Sequence, residues 1–289
     1  MRLLTSLLLG LISVGFSITA YIIESESTTS GMTSVKEKRT EYVADGYIKE
    51  IKVSETRTDI SKMLPFLKNM PGIAAQSQVQ KTETENLIVF RDNKVITYTI
   101  HHANKTYVKT EMNAAIAVYM AMSMFYDCDR QGNCRPKDEN TGFKVTNEFK
   151  NVGKWKARKI ITTMTTPMGQ VKTTLWVTKD KLLQEAELKK LENYIRTAEK
   201  DPKIRSNPNY MRFLKDARKR IRDYIKKYGA TIMSETEGIG GMRTVEVVKS
   251  VRKEKVSKDF FKVPEDYSPM GSYIKPAQPR YNYDKYQYR

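Results

Sequence analysis

The chain has 289 residues, with 51 Lys+Arg against 33 Asp+Glu and a formal charge of +18. That length fits one large domain or two small ones, and with 39% hydrophobic residues it is long enough to bury a sizeable core. The composition excludes collagen, a polytopic membrane protein and a wholly disordered chain; with only two Cys and two His, it also excludes a disulfide-dense scaffold or a multi-zinc protein.

Arg2 followed by the apolar run 3–16 reads as a signal peptide over residues 1–20, with Ile18-Thr19-Ala20 as the small-residue cleavage site. An uncleaved N-terminal helix is the rival reading, because apolar residues continue to Ile23. Either way the rest of the chain is expected in the periplasm or secreted beyond it. In an oxidising compartment Cys128 and Cys134 are expected to form a local disulfide, with Gly132 and Asn133 making the turn between them. A bridge over so short a loop pins the loop rather than the fold.

Residues 22–28, 34–42 and 47–54 carry Thr, Val, Ile and Tyr in approximate alternation, and 87–90, 95–101 and 106–110 repeat the pattern. Evenly spaced short strands of this kind predict an antiparallel meander. Residues 59–78 interrupt it as an apolar flap, in which Met63 and Leu67 follow helical spacing while Pro65 and Pro71 limit any helix to short pieces. Residues 113–126 are apolar all round and too short to cross a membrane, so they predict a helix buried within protein. Its methionines, Met120 and Met124 among them, suit either an irregular core or a lipid-lined cavity. Strands resume at 143–149, 155–165 and 170–178.

Two long helices are predicted next. One spans 181–200 with Asp180 as N-cap; the other starts from Asn207 and Pro208 and stops at Gly229. Residues 230–236 and 243–251 predict a closing hairpin, and 271–289 a disordered tail rich in Tyr, Lys and Arg.

The sequence offers few signs of catalytic chemistry. There is no Gly-x-Ser-x-Gly elbow or phosphate-binding loop, and Gly238-Ile239-Gly240-Gly241-Met242-Arg243 fails the dinucleotide fingerprint. His101 and His102, as strand neighbours, point to opposite faces and cannot chelate one ion together. Asp127, Asp129 and Gln131 with Gly132 imitate the first half of a calcium loop, but Pro136 and a following strand argue against it. No cofactor, metal or enzymatic activity is expected. The strongest electrostatic feature is 203–227, whose Lys215, Arg218, Lys219, Arg222 and Lys226 lie on the outer face of the second long helix. A basic amphipathic helix points to an anionic membrane surface or envelope polymer, and export argues against nucleic acid.

The order of elements is familiar from the hairpin Asn104-Lys105-Thr106-Tyr107-Val108-Lys109-Thr110, then Gly153-Lys154-Trp155-Lys156-Ala157-Arg158-Lys159-Ile160, then Leu175-Trp176-Val177-Thr178, and last Asp259-Phe260-Phe261-Lys262-Val263-Pro264-Glu265-Asp266-Tyr267. Over residues 21–270 this resembles an uncharacterised family of secreted bacterial domains, similar to the periplasmic lipoprotein carrier LolA. The resemblance implies an α+β fold: a curved antiparallel half-barrel with helices on its concave side, which in the carriers receives acyl chains. The basic helical insertion at 180–228 departs from that pattern. The expectation is a non-enzymatic envelope protein that binds a lipid or other hydrophobic ligand, with Met63, Leu67, Ala117, Met120, Ala121, Met124, Trp155 and Trp176 lining the cavity. The alternative is a structural or adhesive protein that uses its basic helix and tail on anionic polymers or membranes.

Overall fold

Alternating Thr, Val, Ile and Tyr extend the chain because β-branched and aromatic side chains pack well on a pleated surface. The computed structural model describes residues 17–31, 33–58, 78–122, 126–128, 134–136, 143–166, 169–238 and 241–270. The first meander comprises β1 (Ser17–Ser30), β2 (Thr33–Ala44), β3 (Tyr47–Thr58), β4 (Gln78–Arg91), β5 (Lys94–His101) and β6 (Thr106–Asn113), each antiparallel to the next. Helix α1 (Ala114–Met122) and a small hairpin, β7 (Tyr126–Cys128) with β8 (Cys134–Pro136), lead into β9 (Phe143–Val152), β10 (Trp155–Thr166) and β11 (Gly169–Thr178). Three helices follow: α2 (Lys181–Ala198), α3 (Pro202–Arg205) and α4 (Pro208–Tyr228). Strands β12 (Ala230–Glu237), β13 (Arg243–Ser257) and the two-residue β14 (Ser268–Pro269) close the chain.

Strands β1 and β13 pair along their length, from Ser17 opposite Ser257 to Ser30 opposite Arg243. That pairing joins both meanders into one open sheet of 12 strands, in the order β14-β6-β5-β4-β3-β2-β1-β13-β12-β11-β10-β9. Among the described residues only the short β14–β6 contact is parallel. The large antiparallel α+β sheet expected from the sequence is therefore present. Strand β1 opens at Ser17, so the cleavage point expected after Ala20 falls inside it. Of the helix expected over 113–126, Ala114–Met122 is helical, and Tyr126 already pairs with Pro136 in the small hairpin.

Strand periodicity sorts the apolar side chains onto two faces. Tyr21, Ile23, Val43, Ile48, Phe90 and Val95 form the first core, together with Ala117 and Val118 of α1, Leu183, Ala186 and Ile195 of α2, and Leu214, Ala217, Ile221 and Ile225 of α4. Ala20, Ala44, Leu87, Ile96 and Ile100 face the other way and are covered by Phe260, Phe261 and Tyr267. The segment after β13 is thus a strap across the second face.

The helices begin and end where their caps dictate. The Asp180 carboxylate accepts from the Leu183 N–H and starts α2; Asn207 and Pro208 start α4. Asn193, 3% exposed, ties α2 to the β2–β3 turn: its Nδ2 donates to the Ala44 carbonyl (2.8 Å) and its Oδ1 accepts from the Gly46 N–H (3.0 Å). Asp201 does the same for the β4–β5 turn and α1, accepting from Asn113 Nδ2 (2.7 Å), the Lys203 N–H (2.9 Å) and Asn93 Nδ2 (3.1 Å). Burial alone raises the Asp201 carboxyl, but the hydrogen bonds from Asn113, Lys203, Asn93 and Ile204 outweigh it and hold it below the ordinary aspartate value.

A carboxyl depressed in the folded state contributes stability above its unfolded value and loses it as pH falls through the folded one. The melting temperature should fall less steeply between about pH 4 and pH 2 in Asp201→Asn than in the wild type. An identical slope in acid melting curves would remove Asp201 from the acid transition.

Candidate functional site

Helix α4 carries eight Lys and Arg against Asp216 and Asp223. At 3.6 residues per turn, Arg212, Lys215, Lys219, Arg222 and Lys226 fall within an arc of about 80°. All five are exposed, and none has a carboxylate partner among the described residues. They run as a ridge roughly 21 Å long, opposite the stripe of Leu214, Ala217, Ile221 and Ile225 that α4 buries in the core. Asp216 and Asp223 lie on one flank of the ridge rather than within it.

Four of the five cations expected on this face, Lys215, Lys219, Arg222 and Lys226, are in the ridge. Arg218 is not. Its Nε donates to Glu192 (3.1 Å) and its Nη2 to Glu199 (2.9 Å), so it clamps α4 to α2. The hydrogen bond to Glu199 leads the causes that hold its guanidinium above the ordinary arginine value. Arg212 was missed by the sequence reading, although its spacing of three from Lys215 is a readable signal.

Between the sheet and α2 lies a cavity of about 180 Å³ whose lining includes Ile23, Leu183 and Val248 but also Arg39, Glu41, Glu187, Lys190 and Glu246. These charges pair with one another and with the sheet. Lys190 contacts Glu41 (2.6 Å) and Glu187 (3.1 Å), and Arg39 contacts Glu50 (3.2 Å) and Glu246. Burial acts to lower the Lys190 ammonium, but the two carboxylates prevail and raise it. Beyond Ile23, Val43 and Ile48 the helix-facing rows of β1, β2 and β3 turn polar. By register they carry Ser25 and Ser27 on β1, Arg39 and Glu37 on β2, and Lys52 and Ser54 on β3. An acyl chain laid there would strip water from ionised groups without replacing it. The cavity is also below the roughly 300 Å³ at which small-molecule pockets begin. A more open groove of about 300 Å³ separates α2 from α4, lined by Leu188 and Leu191 and by Lys189, Arg196, Arg218 and Arg222.

Of the expected cavity residues, the three whose side chains are described, Ala117, Trp155 and Trp176, all belong to the first core. Ala117 is buried against α2. Trp155 and Trp176 are buried in the core, with Nε1 donating to Asp180 (3.0 Å) and Glu235 (3.2 Å) respectively, and neither lines either cavity. Met63, Leu67, Met124 and the flap 59–77 lie outside the described residues, as do the side chains of Met120 and Ala121.

In the small hairpin Cys128 is the register partner of Cys134; their side chains lie outside the described residues, and so do Asp129, Gln131 and the tail 271–289. Asp127 sits in β7, so strands rather than calcium-loop helices flank 129–133. His101 ends β5, and His102 turns away to meet Glu85 and Tyr267. Among the described residues no helix is long and apolar enough to cross a membrane, and no three His, Cys, Asp or Glu side chains gather as metal ligands. No protein-family model and no curated protein matches the chain.

Proposed function

We propose that the chain is an exported, non-enzymatic protein that docks on a polyanionic surface of the cell envelope through the α4 ridge. In this reading the sheet is a half-barrel similar to that of the LolA-type carriers. It serves as a rigid platform for α4 rather than as a container for lipid. The observation that carries the proposal is the row of five exposed cations with no carboxylate partner among the described residues. The five cations outnumber the flanking carboxylates of Asp216 and Asp223, which stand three and four residues from Arg212, Lys219 and Lys226, so the row presents net positive charge to an anion. We rank lipid carriage second, because the sheet–helix cavity is small and has a charged lining.

Because α4 buries its apolar side in the protein, it has no hydrophobic wedge to push into a bilayer. Binding through the ridge is therefore Coulombic and screened by salt. Each basic residue near an anionic surface contributes about 1 kcal/mol, so the triple reversal Lys215→Glu, Lys219→Glu, Arg222→Glu should weaken binding to phosphatidylglycerol vesicles by about a hundredfold or more. The melting temperature should hardly move, since the three side chains are exposed. Vesicle co-sedimentation at low and high salt measures both effects. Failure of the wild type to bind phosphatidylglycerol vesicles or polyglutamate at low salt would overturn the proposal.

A further inference from the structure

We propose that the leader is removed on the N-terminal side of Ile18, so that the mature chain keeps Ile18, Thr19 and Ala20 as part of β1. The inference rests on the reading that the chain is exported. Its physical basis is the position of β1 in the centre of the sheet, paired on both sides, with β2 and with β13. Ala20 has no exposed surface and sits opposite Ala44 on one side and Glu254 on the other. Ile18 packs on the second core and is the register partner of Val256.

A cut after Ala20 would remove the stretch that faces residues 254–257 of β13. It would also make Tyr21 the N-terminus. Tyr21 is 8% exposed, and its hydroxyl donates to Glu185 at 2.9 Å. A new ammonium there would stand at a position of the central strand flanked on both sides, by Val43 and Lys253, its register partners. The central strand would start with a charge where the uncut chain has an amide.

The sequence upstream offers better sites. Signal peptidase takes small residues at the last and third-last positions of the leader. Gly15 and Ser17 meet that requirement for a cut before Ile18, and Ser13 and Gly15 meet it for a cut before Phe16. A cut after Ala20 puts the bulky Ile18 in the third-last position. Ser17 is exposed at the strand end, so losing it removes little.

N-terminal sequencing and intact mass of the full chain, expressed in a host that exports it, decide the matter. A mature chain beginning at Ile18 or Phe16 is the expected result. A folded chain beginning at Tyr21 overturns the boundary while leaving export in place, and a chain beginning at Met1 in the envelope fraction overturns processing. Recovery of unprocessed chain from the cytoplasm alone overturns the export reading instead. Leaderless chains give an independent measure. Residues 18–289 should unfold cooperatively, and residues 21–289 should melt several degrees lower or fail to fold. Equal melting of the two would overturn the inference.

Discussion

Gly229→Ala should cost about 3 kcal/mol or more, because two penalties coincide at one atom. Gly229 closes α4 at φ 110° and ψ −174°, a region that only glycine occupies at ease. A Cβ built there would lie 2.5 Å from the Thr178 carbonyl carbon and closer still to its oxygen. Both atoms belong to the backbone, so no rotamer relieves the overlap. Thr178 ends β11 and pairs with Ala230, the first residue of β12. The helical insertion therefore leaves and rejoins the sheet through a neck one residue wide, and the added methyl must prise that neck open. For a chain of this size the loss corresponds to a fall in melting temperature of roughly 6–12 °C. Gly46→Ala is the internal comparison. Gly46 also has positive φ, at 77°, but its nearest atom to a new Cβ is 3.9 Å away, so it should lose only about 1 kcal/mol. Calorimetry on the two variants separates collision from strain, and equal shifts would show that the neck yields.

The features legible in the sequence are those whose signals are local. Asp180, Asn207, Pro208 and Gly229 mark the ends of α2 and α4 because a cap is a contact within a few residues. The hairpin turns at Gly46 and Gly153 declare themselves through residues that accept positive φ. Strand β4 was only half visible. It begins at Gln78 rather than 87, but its run Gln80-Lys81-Thr82-Glu83-Thr84 has no apolar alternation and is extended by pairing with β3. Strand β1 was hidden at its start because Ile18 and Ala20 read equally well as the end of a leader.

The ridge was legible as charge but not as geometry. Eight cations on α4 can be counted from the sequence, yet that Arg218 is taken up by α2 cannot. Arg218 meets Glu192 and Glu199 across the helix pair, at separations of 26 and 19 residues. Arg212, Lys215, Lys219, Arg222 and Lys226 are left as a single row. The sheet holds α2 through Asn193, α2 holds α4 through Glu192 and Glu199, and the buried stripe of α4 then leaves one orientation for the ridge.

Glu85→Ala should be the most damaging side-chain truncation on the strap face of the sheet. Glu85 and Lys49 are each 6% exposed, and Lys49 Nζ lies 2.8 Å from Glu85 Oε1. The same ammonium donates to the Phe260 carbonyl at 3.0 Å and sits 4.1 Å from the centre of its ring. On the far side Glu85 Oε2 is 3.3 Å from His102 Nε2, while His102 Nδ1 lies 2.8 Å from the Tyr267 hydroxyl. The pair therefore anchors both ends of the strap, Phe260 and Tyr267, to the sheet. Removing the carboxylate leaves a buried ammonium with only a carbonyl and a ring for company, at a cost of about 3–5 kcal/mol. Replacing both partners by apolar residues, Lys49→Met with Glu85→Leu, removes the desolvation penalty together with the attraction and should recover most of that loss. The double variant still loses the Lys49 link to Phe260. Hydrogen exchange over 258–270 should consequently remain faster than in the wild type even where denaturant midpoints have recovered. A double variant as unstable as Glu85→Ala would show that packing around these positions, rather than an uncompensated charge, sets the cost. A double variant with wild-type exchange would show that the aromatic contacts of Phe261 with Tyr47 and of Phe260 with Tyr42 are sufficient to hold the strap.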